Sequence, residues 1–353
     1  MSRIKVKRTK RRAIKILLTI FLTLLIVIVA AAGTAFWYVT DKFGGISSQK
    51  LNEDELGVSE NDNLEKYRNI AIFGVDSRSD NYGKGNRSDC IIIASINNET
   101  HAVKLISVYR DTYVQIQGHG LDKITHAYSY GEAPLALKTL NENLDLNITE
   151  FVTVNFDAVV YMVDALGGIK MNITAAEVQY INDYIDETSR VTGKESEHIT
   201  KAGTYTLDGV QAVAYSRIRY TAGGDHKRTE RMRDVITAMI AKLKTKSVSE
   251  ITRIANNLLN KIKKEKLVYT NLDLTDLFSM LPVLSSFTVA ESDGWPYNNK
   301  GAMINNISYG VPVTLESNVK KLHREVFEDE DYEVPENVKE ISNKIVKKSG
   351  YSK

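Results

Sequence analysis

The chain has 353 residues, 43% of them hydrophobic, with 46 basic and 44 acidic side chains and a net charge of +2. So even a balance argues against nucleic-acid binding through a general basic surface, and a single cysteine, Cys90, rules out an intrachain disulfide. The fold must rest on its hydrophobic core, which a chain of this length can supply.

Residues 1–15 carry eight Lys or Arg and no acidic residue. Residues 16–39 carry no charge at all, and these 24 residues suffice to cross a hydrocarbon core of ~30 Å. The apolar run is longer than the roughly 7–15 residues of a signal-peptide core. It continues through Phe36-Trp37-Tyr38, which reads as an interfacial aromatic belt. A retained single-pass transmembrane helix is therefore expected in preference to a cleaved signal. The positive-inside rule puts the basic segment in the cytoplasm, against anionic lipid, and residues 40–353 outside the plasma membrane. With the eight N-terminal cations set aside, 38 basic residues face 44 acidic ones, so residues 16–353 carry a net charge of −6.

Residues 40–66 are polar and acidic and read as an extracellular stalk. The domain proper is expected over 67–327. Strands are predicted at 69–75, 89–96 and 102–109, the last two joined by Asn97-Asn98-Glu99-Thr100. The run Ile91-Ile92-Ile93 points to a strand covered on both faces, and Cys90 beside it reads as a small buried hydrophobe. Helices are predicted at 123–130, 133–144 and 156–166, then a strand at 169–173. Further helices follow at 207–215, 225–245 and 248–264, with late strands at 287–291 and 304–312. This mixed order predicts a three-layer α/β sandwich, a central mixed β-sheet with helices on both faces. Residues 328–353 are charged and apolar-poor, and read as a C-terminal tail.

Charges stand at the ends of the apolar segments. Asp76 follows the first strand, Arg87 and Asp89 open the second, and Arg110 closes the third. Arg217 and Arg219 end one helical segment, while Asp225 and Arg228 begin another. In that last helix Met232, Val235, Ile236, Met239, Ile240 and Leu243 form one apolar stripe. Its phase, extended backwards by about 100° per residue, puts Asp225 and Arg228 on the same face and Arg231 at its border. A buried charge needs a partner, so either these two pair with each other or they line a polar cavity. By alternation Arg110 would share a face with Ile106 and Val108, and Arg217 with Arg219 if that stretch is extended. Arginine forks suit phosphate oxygens and spaced carboxylates suit a hard divalent cation. As a set, these residues suggest a pyrophosphate-and-magnesium site.

The same residues resemble the LytR-CpsA-Psr family of Gram-positive cell-envelope enzymes. The resemblance is carried in order by Gly74-Val75-Asp76-Ser77-Arg78, Arg87-Ser88-Asp89, Tyr109-Arg110-Asp111-Thr112, Lys123-Ile124-Thr125-His126-Ala127-Tyr128, Asn155-Phe156-Asp157, Leu207-Asp208-Gly209 and Tyr215-Ser216-Arg217-Ile218-Arg219. It spans roughly residues 66–327 and continues through Asp225, Arg228 and Arg231. It implies an α/β sandwich that moves a phosphate-linked glycopolymer from a polyprenyl-pyrophosphate carrier to a peptidoglycan hydroxyl, with Mg2+ assistance. It also implies that Arg87, Arg110, Arg217, Arg219 and Arg228 bind the pyrophosphate. Asp76 and Asp89 match the family's magnesium-linked acids, and Asp225 its second acidic position. With Arg110 the two former acids form the expected catalytic set; Arg78, Lys123 and Arg231 are further candidates. Met232 stands where the family has a glutamine, and Ala290-Glu291-Ser292-Asp293-Gly294 departs from the family's usual run. The competing readings are a polyprenyl-pyrophosphate hydrolase and a non-catalytic lipid- or glycan-binding surface regulator.

Overall fold

A computed structural model of the protein describes residues 51–75, 82–83, 85–272 and 288–352. The expected transmembrane segment, Asp76 and Arg78 lie outside these residues. Among the described residues no helix is long and apolar enough to cross a membrane.

Six strands form the central sheet: β1 (Tyr67–Val75), β2 (Ser88–Asn97), β3 (Ala102–Val108), β6 (Glu150–Val154), β9 (Val268–Thr270) and β10 (Thr288–Trp295). Their spatial order is β10-β3-β2-β1-β6-β9. The β10–β3 and β1–β6 pairs are parallel and the rest antiparallel, so the sheet is mixed. The β2–β3 hairpin closes because the Asn97 side chain accepts hydrogen bonds from the N–H groups of Glu99 and Thr100, both at 2.9 Å. Small two-stranded sheets add β4 (Tyr113–Ile116) with β5 (Gly120–Lys123), β7 (Ile169–Ile173) with β8 (Gly203–Leu207), and β11 (Asn299–Ile304) with β12 (Ile307–Pro312).

Helices cover both faces. On one, Ala71, Phe73, Ile91, Ile93, Ile106 and Val108 pack with α1 (Ile124–Leu144), α7 (Leu315–Phe327) and α8 (Glu336–Ser349). On the other lie α2 (Phe156–Leu166), α4 (Gly209–Arg217), α5 (Gly224–Lys244) and α6 (Val248–Glu265), while α3 (Ala175–Thr192) packs on α4. The expected break in α1 is present: Gly131 and Glu132 leave helical geometry, and Pro134 falls in the first turn of the second half, where its missing N–H has no cost.

Both ends of the domain depart from expectation. Residues 51–66, read as stalk, fold onto it: Leu56 and Leu64 are buried, and the Asn63 side chain donates to the Phe327 carbonyl at 2.8 Å. Residues 328–353, read as a charged tail, carry α8. Val338, Ile341 and Ile345 recur at helical spacing and are buried in the main core, with the lysines turned outward. Three apolar residues in a charged run are enough once a partner face exists.

Gly209 shows how closely the helices of the second face approach. A Cβ there would lie 2.2 Å from the Val160 carbonyl oxygen. Gly209→Ala is expected to force α2 and α4 apart and cost about 1–3 kcal/mol, read as a lower denaturation midpoint; an unchanged midpoint would refute this packing.

Candidate active site

A cavity of about 800 Å³ lies between the second sheet face and helices α2, α4, α5 and α6. Ile70, Ile72 and Gly74 of β1 and Val152 and Val154 of β6 form its floor. The stripe predicted on α5 forms a wall: Met232, Val235, Ile236, Met239, Ile240 and Leu243 all line it, and so does Arg228. From Arg228 to Leu243 the cavity follows α5 for about 22 Å at 1.5 Å per residue. Its lining is overwhelmingly apolar, yet Asp89, Arg217, Arg219 and Arg228 also border it.

Asp89 reaches the cavity through a β-bulge. Gly74 pairs with Cys90 but Val75 pairs with Ser88, so Asp89 is the extra residue of β2. The bulge takes its side chain out of the alternation that puts Ile91 and Ile93 in the opposite core. Gly74 is required beside it, since a Cβ there would lie 2.8 Å from the Cys90 Cβ. Burial pushes the Cys90 thiol up to about 12, which leaves it unreactive.

Arg110 does not share the face of Ile106 and Val108 as alternation suggested. β3 ends at Val108, and the chain turns so that Arg110 crosses to the cavity side. There Nη1 donates to Asp89 Oδ1 at 2.7 Å, while Nε lies 3.6 Å from Asp225 Oδ2 and 4.0 Å from Asp111 Oδ2. Arg228 Nη2 lies 2.9 Å from Asp225 Oδ1. The two readings of Asp225 and Arg228 thus hold together: they pair, and they do so at the cavity.

The pairing is incomplete. Arg228 is 3% exposed, and its Nε and Nη2 have no hydrogen-bond partner among the described residues; the close Asp225 oxygen is poorly aligned. The buried Nε of Arg110 is also unpartnered among the described residues. Burial lowers the Arg228 pKa, and the charges of Arg110 and Arg219 lower it further against the pull of Asp225. For Arg110 burial acts downward too, but Asp89 and Asp225 outweigh it and the pKa is raised. An oxyanion here would supply the missing acceptors and relieve the mutual repulsion.

The other candidates separate. Arg217 is the last residue of α4, so the extended stretch expected through Arg219 begins only at Ile218. It stacks on Phe156 at 4.7 Å and pairs with Glu187 at 2.9 Å, yet still lines the cavity beside exposed Arg219. Lys123 Nζ pairs with Asp111 at 2.7 Å, next to Arg110. Arg87 is exposed and lies near Tyr130 rather than in the cavity. Tyr128 is a core residue, its hydroxyl donating to Thr153 at 3.1 Å.

Arg231 lies elsewhere. It is 1% exposed, and it donates to Glu177 Oε1 at 2.8 Å, the Ile218 carbonyl at 3.1 Å and Thr221 Oγ1 at 2.6 Å. Glu177 also caps α3 through Thr174, so the pair ties α5 to α3. Burial would raise the Glu177 pKa, but hydrogen bonds from Thr174 and Arg231 hold it below the usual value. A depressed carboxyl contributes stability above its unfolded pKa of about 4.3, and this is lost as pH falls through the folded value. Glu177→Gln is therefore expected to cost about 3–5 kcal/mol at pH 7, with the gap to the parent narrowing below about pH 4. Urea denaturation across pH reads this, and a pH-independent gap would contradict it.

Two residues of α5 fell outside the sequence reading: Arg233, buried with Nε and Nη1 unpartnered among the described residues, and His226, which stacks on Tyr109 at 4.1 Å; neither lines the cavity. Their signal was the phase of 226 and 233, one step around α5 from Asp225. Among the described residues no three His, Cys, Asp or Glu side chains group to hold a metal. Mg2+ ordinarily takes only one or two carboxylates besides water and substrate phosphate, so Asp89 at the border of an anion site fits that need.

The LytR_cpsA_psr family model matches residues 37–325 of this chain. The Bacillus subtilis polyisoprenyl-teichoic acid–peptidoglycan teichoic acid transferase TagT is 30% identical over 307 residues, covering 84% of this chain and 91% of TagT. The Enterococcus faecalis transferase TagU is 29% identical over 303 residues, covering 85% and 91%. The solved structure of the LytR-CPS2A-psr family protein YwtF (TagT) with bound octaprenyl pyrophosphate lipid shares the fold, with a TM-score of 0.51 at 23% identity over 83% of this chain and 94% of that one.

Proposed function

Because this chain belongs to the LytR_cpsA_psr family, we propose that it transfers a phosphate-linked glycopolymer from a polyprenyl-pyrophosphate carrier to a hydroxyl of peptidoglycan. One observation carries the reading: unpartnered arginine N–H groups stand at the border of an apolar cavity that follows α5 for about 22 Å. A prenyl chain fits the apolar part, and its pyrophosphate fits the arginines. TagT and TagU are named as transferases of this kind, which supports the same donor and acceptor here.

The chemistry is a displacement at phosphorus. The acceptor oxygen bonds to the phosphorus that carries the glycan, the P–O bond to the prenyl-side phosphate breaks, and polyprenyl phosphate leaves. Arg110, Arg217, Arg219 and Arg228 bind the pyrophosphate oxygens and stabilise the charge that grows on the leaving side. Arg87 approaches from the exposed side. Asp225 holds Arg228 and Arg110 in place. Asp76 or Asp89 receives the proton of the attacking hydroxyl. The same two carboxylates would hold Mg2+, which supplies charge neutralisation on the phosphate oxygens. The N-terminal apolar segment would anchor the enzyme in the plasma membrane, with the domain facing the wall.

Full-length protein in detergent, lipid-linked donor, Mg2+ and peptidoglycan should yield a polymer–peptidoglycan conjugate. Release of free phosphorylated glycan without conjugate would replace transfer by hydrolysis. Full wall attachment in cells carrying Arg110→Ala and Asp89→Ala would remove catalysis from this site.

A further inference from the structure

We propose that His119 and Tyr130, held over Asp122, His126 and the buried Tyr309, seat the acceptor glycan strand; this rests on the transfer reading above. The β4–β5 turn projects His119 between two glycines, Gly118 and Gly120, both at φ +77°. Its exposed ring stacks on Tyr130 at 4.1 Å with 11° between the planes. One carboxylate locks the group from below. Asp122 Oδ2 accepts from the Tyr130 hydroxyl and from His126 Nδ1, both at 2.8 Å, and Oδ1 accepts from the Tyr309 hydroxyl at 3.3 Å. Tyr113 packs against Tyr309 at 4.6 Å.

Position favours an acceptor here. None of these residues lines the apolar cavity. They nevertheless join the charged site directly: Lys123 follows Asp122 and pairs with Asp111, the Thr125 N–H donates to the Arg110 carbonyl at 3.1 Å, and Arg87 lies near Tyr130. Displacement at phosphorus needs entering and leaving oxygens roughly in line. With the leaving prenyl phosphate on the cavity side, the attacking hydroxyl must come from the side away from it.

The chemistry favours a saccharide. Pyranose rings offer apolar C–H faces to aromatic rings and hydroxyl edges to polar groups between them. Rings already held by Asp122 lose little freedom on binding. Burial would raise the Asp122 pKa, but hydrogen bonds from His126, Tyr130 and the Lys123 N–H keep it below the usual range. A carboxylate that stays ionised disfavours a phosphate-rich polymer on this face, so the uncharged backbone of the acceptor strand is the better occupant.

The test uses full-length protein in detergent, lipid-linked donor and a soluble, uncrosslinked peptidoglycan strand. His119→Ala is expected to raise the KM for the strand about tenfold, with the Kd for the donor lipid unchanged. His119→Phe, which keeps a ring, should restore the strand KM. Tyr130→Leu serves as a second variant, with a circular-dichroism melt to verify its fold. A strand KM unaffected by either His119→Ala or Tyr130→Leu, in protein that still conjugates, would overturn the platform alone. Absence of conjugate from the parent protein would instead overturn the transfer reading.

Discussion

Replacing Arg228 with methionine is expected to lower kcat/KM for glycopolymer transfer by about 10²–10³ while raising the melting temperature. The two effects have one cause. Arg228 is 3% exposed with two donors unpartnered, and its charge is opposed by burial and by Arg110 and Arg219. In the free protein that is a destabilising arrangement, since a buried charge with unmet donors carries a desolvation cost that an apolar side chain of similar volume does not. In the reaction the same donors meet the pyrophosphate oxygens, and loss of one such contact typically costs about 10²–10³ in rate. Asp225, 29% exposed, keeps its contact with Arg110 and is not stranded. Transfer assays and calorimetry on the same preparation check both signs. A variant that loses activity and stability together would make Arg228 a structural residue like Arg231.

Ile72→Trp should separate lipid binding from chemistry. Ile72 lies mid-strand on β1 and lines the floor of the cavity. An indole there would occupy space otherwise filled by prenyl carbons. At ~0.8 kcal/mol per buried CH₂, displacing about four of them costs ~3 kcal/mol, or roughly 100-fold in donor affinity. The cavity has room for the larger ring, so the melting temperature should stay the same or rise. Donor titration with intact protein is the measurement. Unchanged donor affinity would place the prenyl chain outside this cavity.

The sequence was most legible where one element carried its own period. The stripe on α5 is readable from Met232 to Leu243, and its backward phase correctly put Arg228 on the cavity face. The same logic failed at Arg110, because alternation holds only while the chain remains a strand and β3 ends at Val108. It also had no access to Asp89, since a bulge is a mismatch between two strands and leaves no mark on either alone. The charged C-terminal helix was missed because its three buried apolar residues matter only against a core supplied by distant segments.

By itself, then, the sequence determined the mixed α/β class, the family, and the charges that border the site. Periodicity and motif order are properties of a chain read in one dimension. Tertiary structure decided which of those charges act together. Arg231 faces Glu177 within hydrogen-bonding distance and is satisfied, whereas Arg228, one helical turn earlier, is buried with donors to spare. Along the chain the two arginines differ only in helical phase, Arg228 on the stripe and Arg231 at its border. Only the packing of α5 on the sheet and on α3 sets which carboxylates each can reach, and so which of them retains hydrogen bonds to give a ligand.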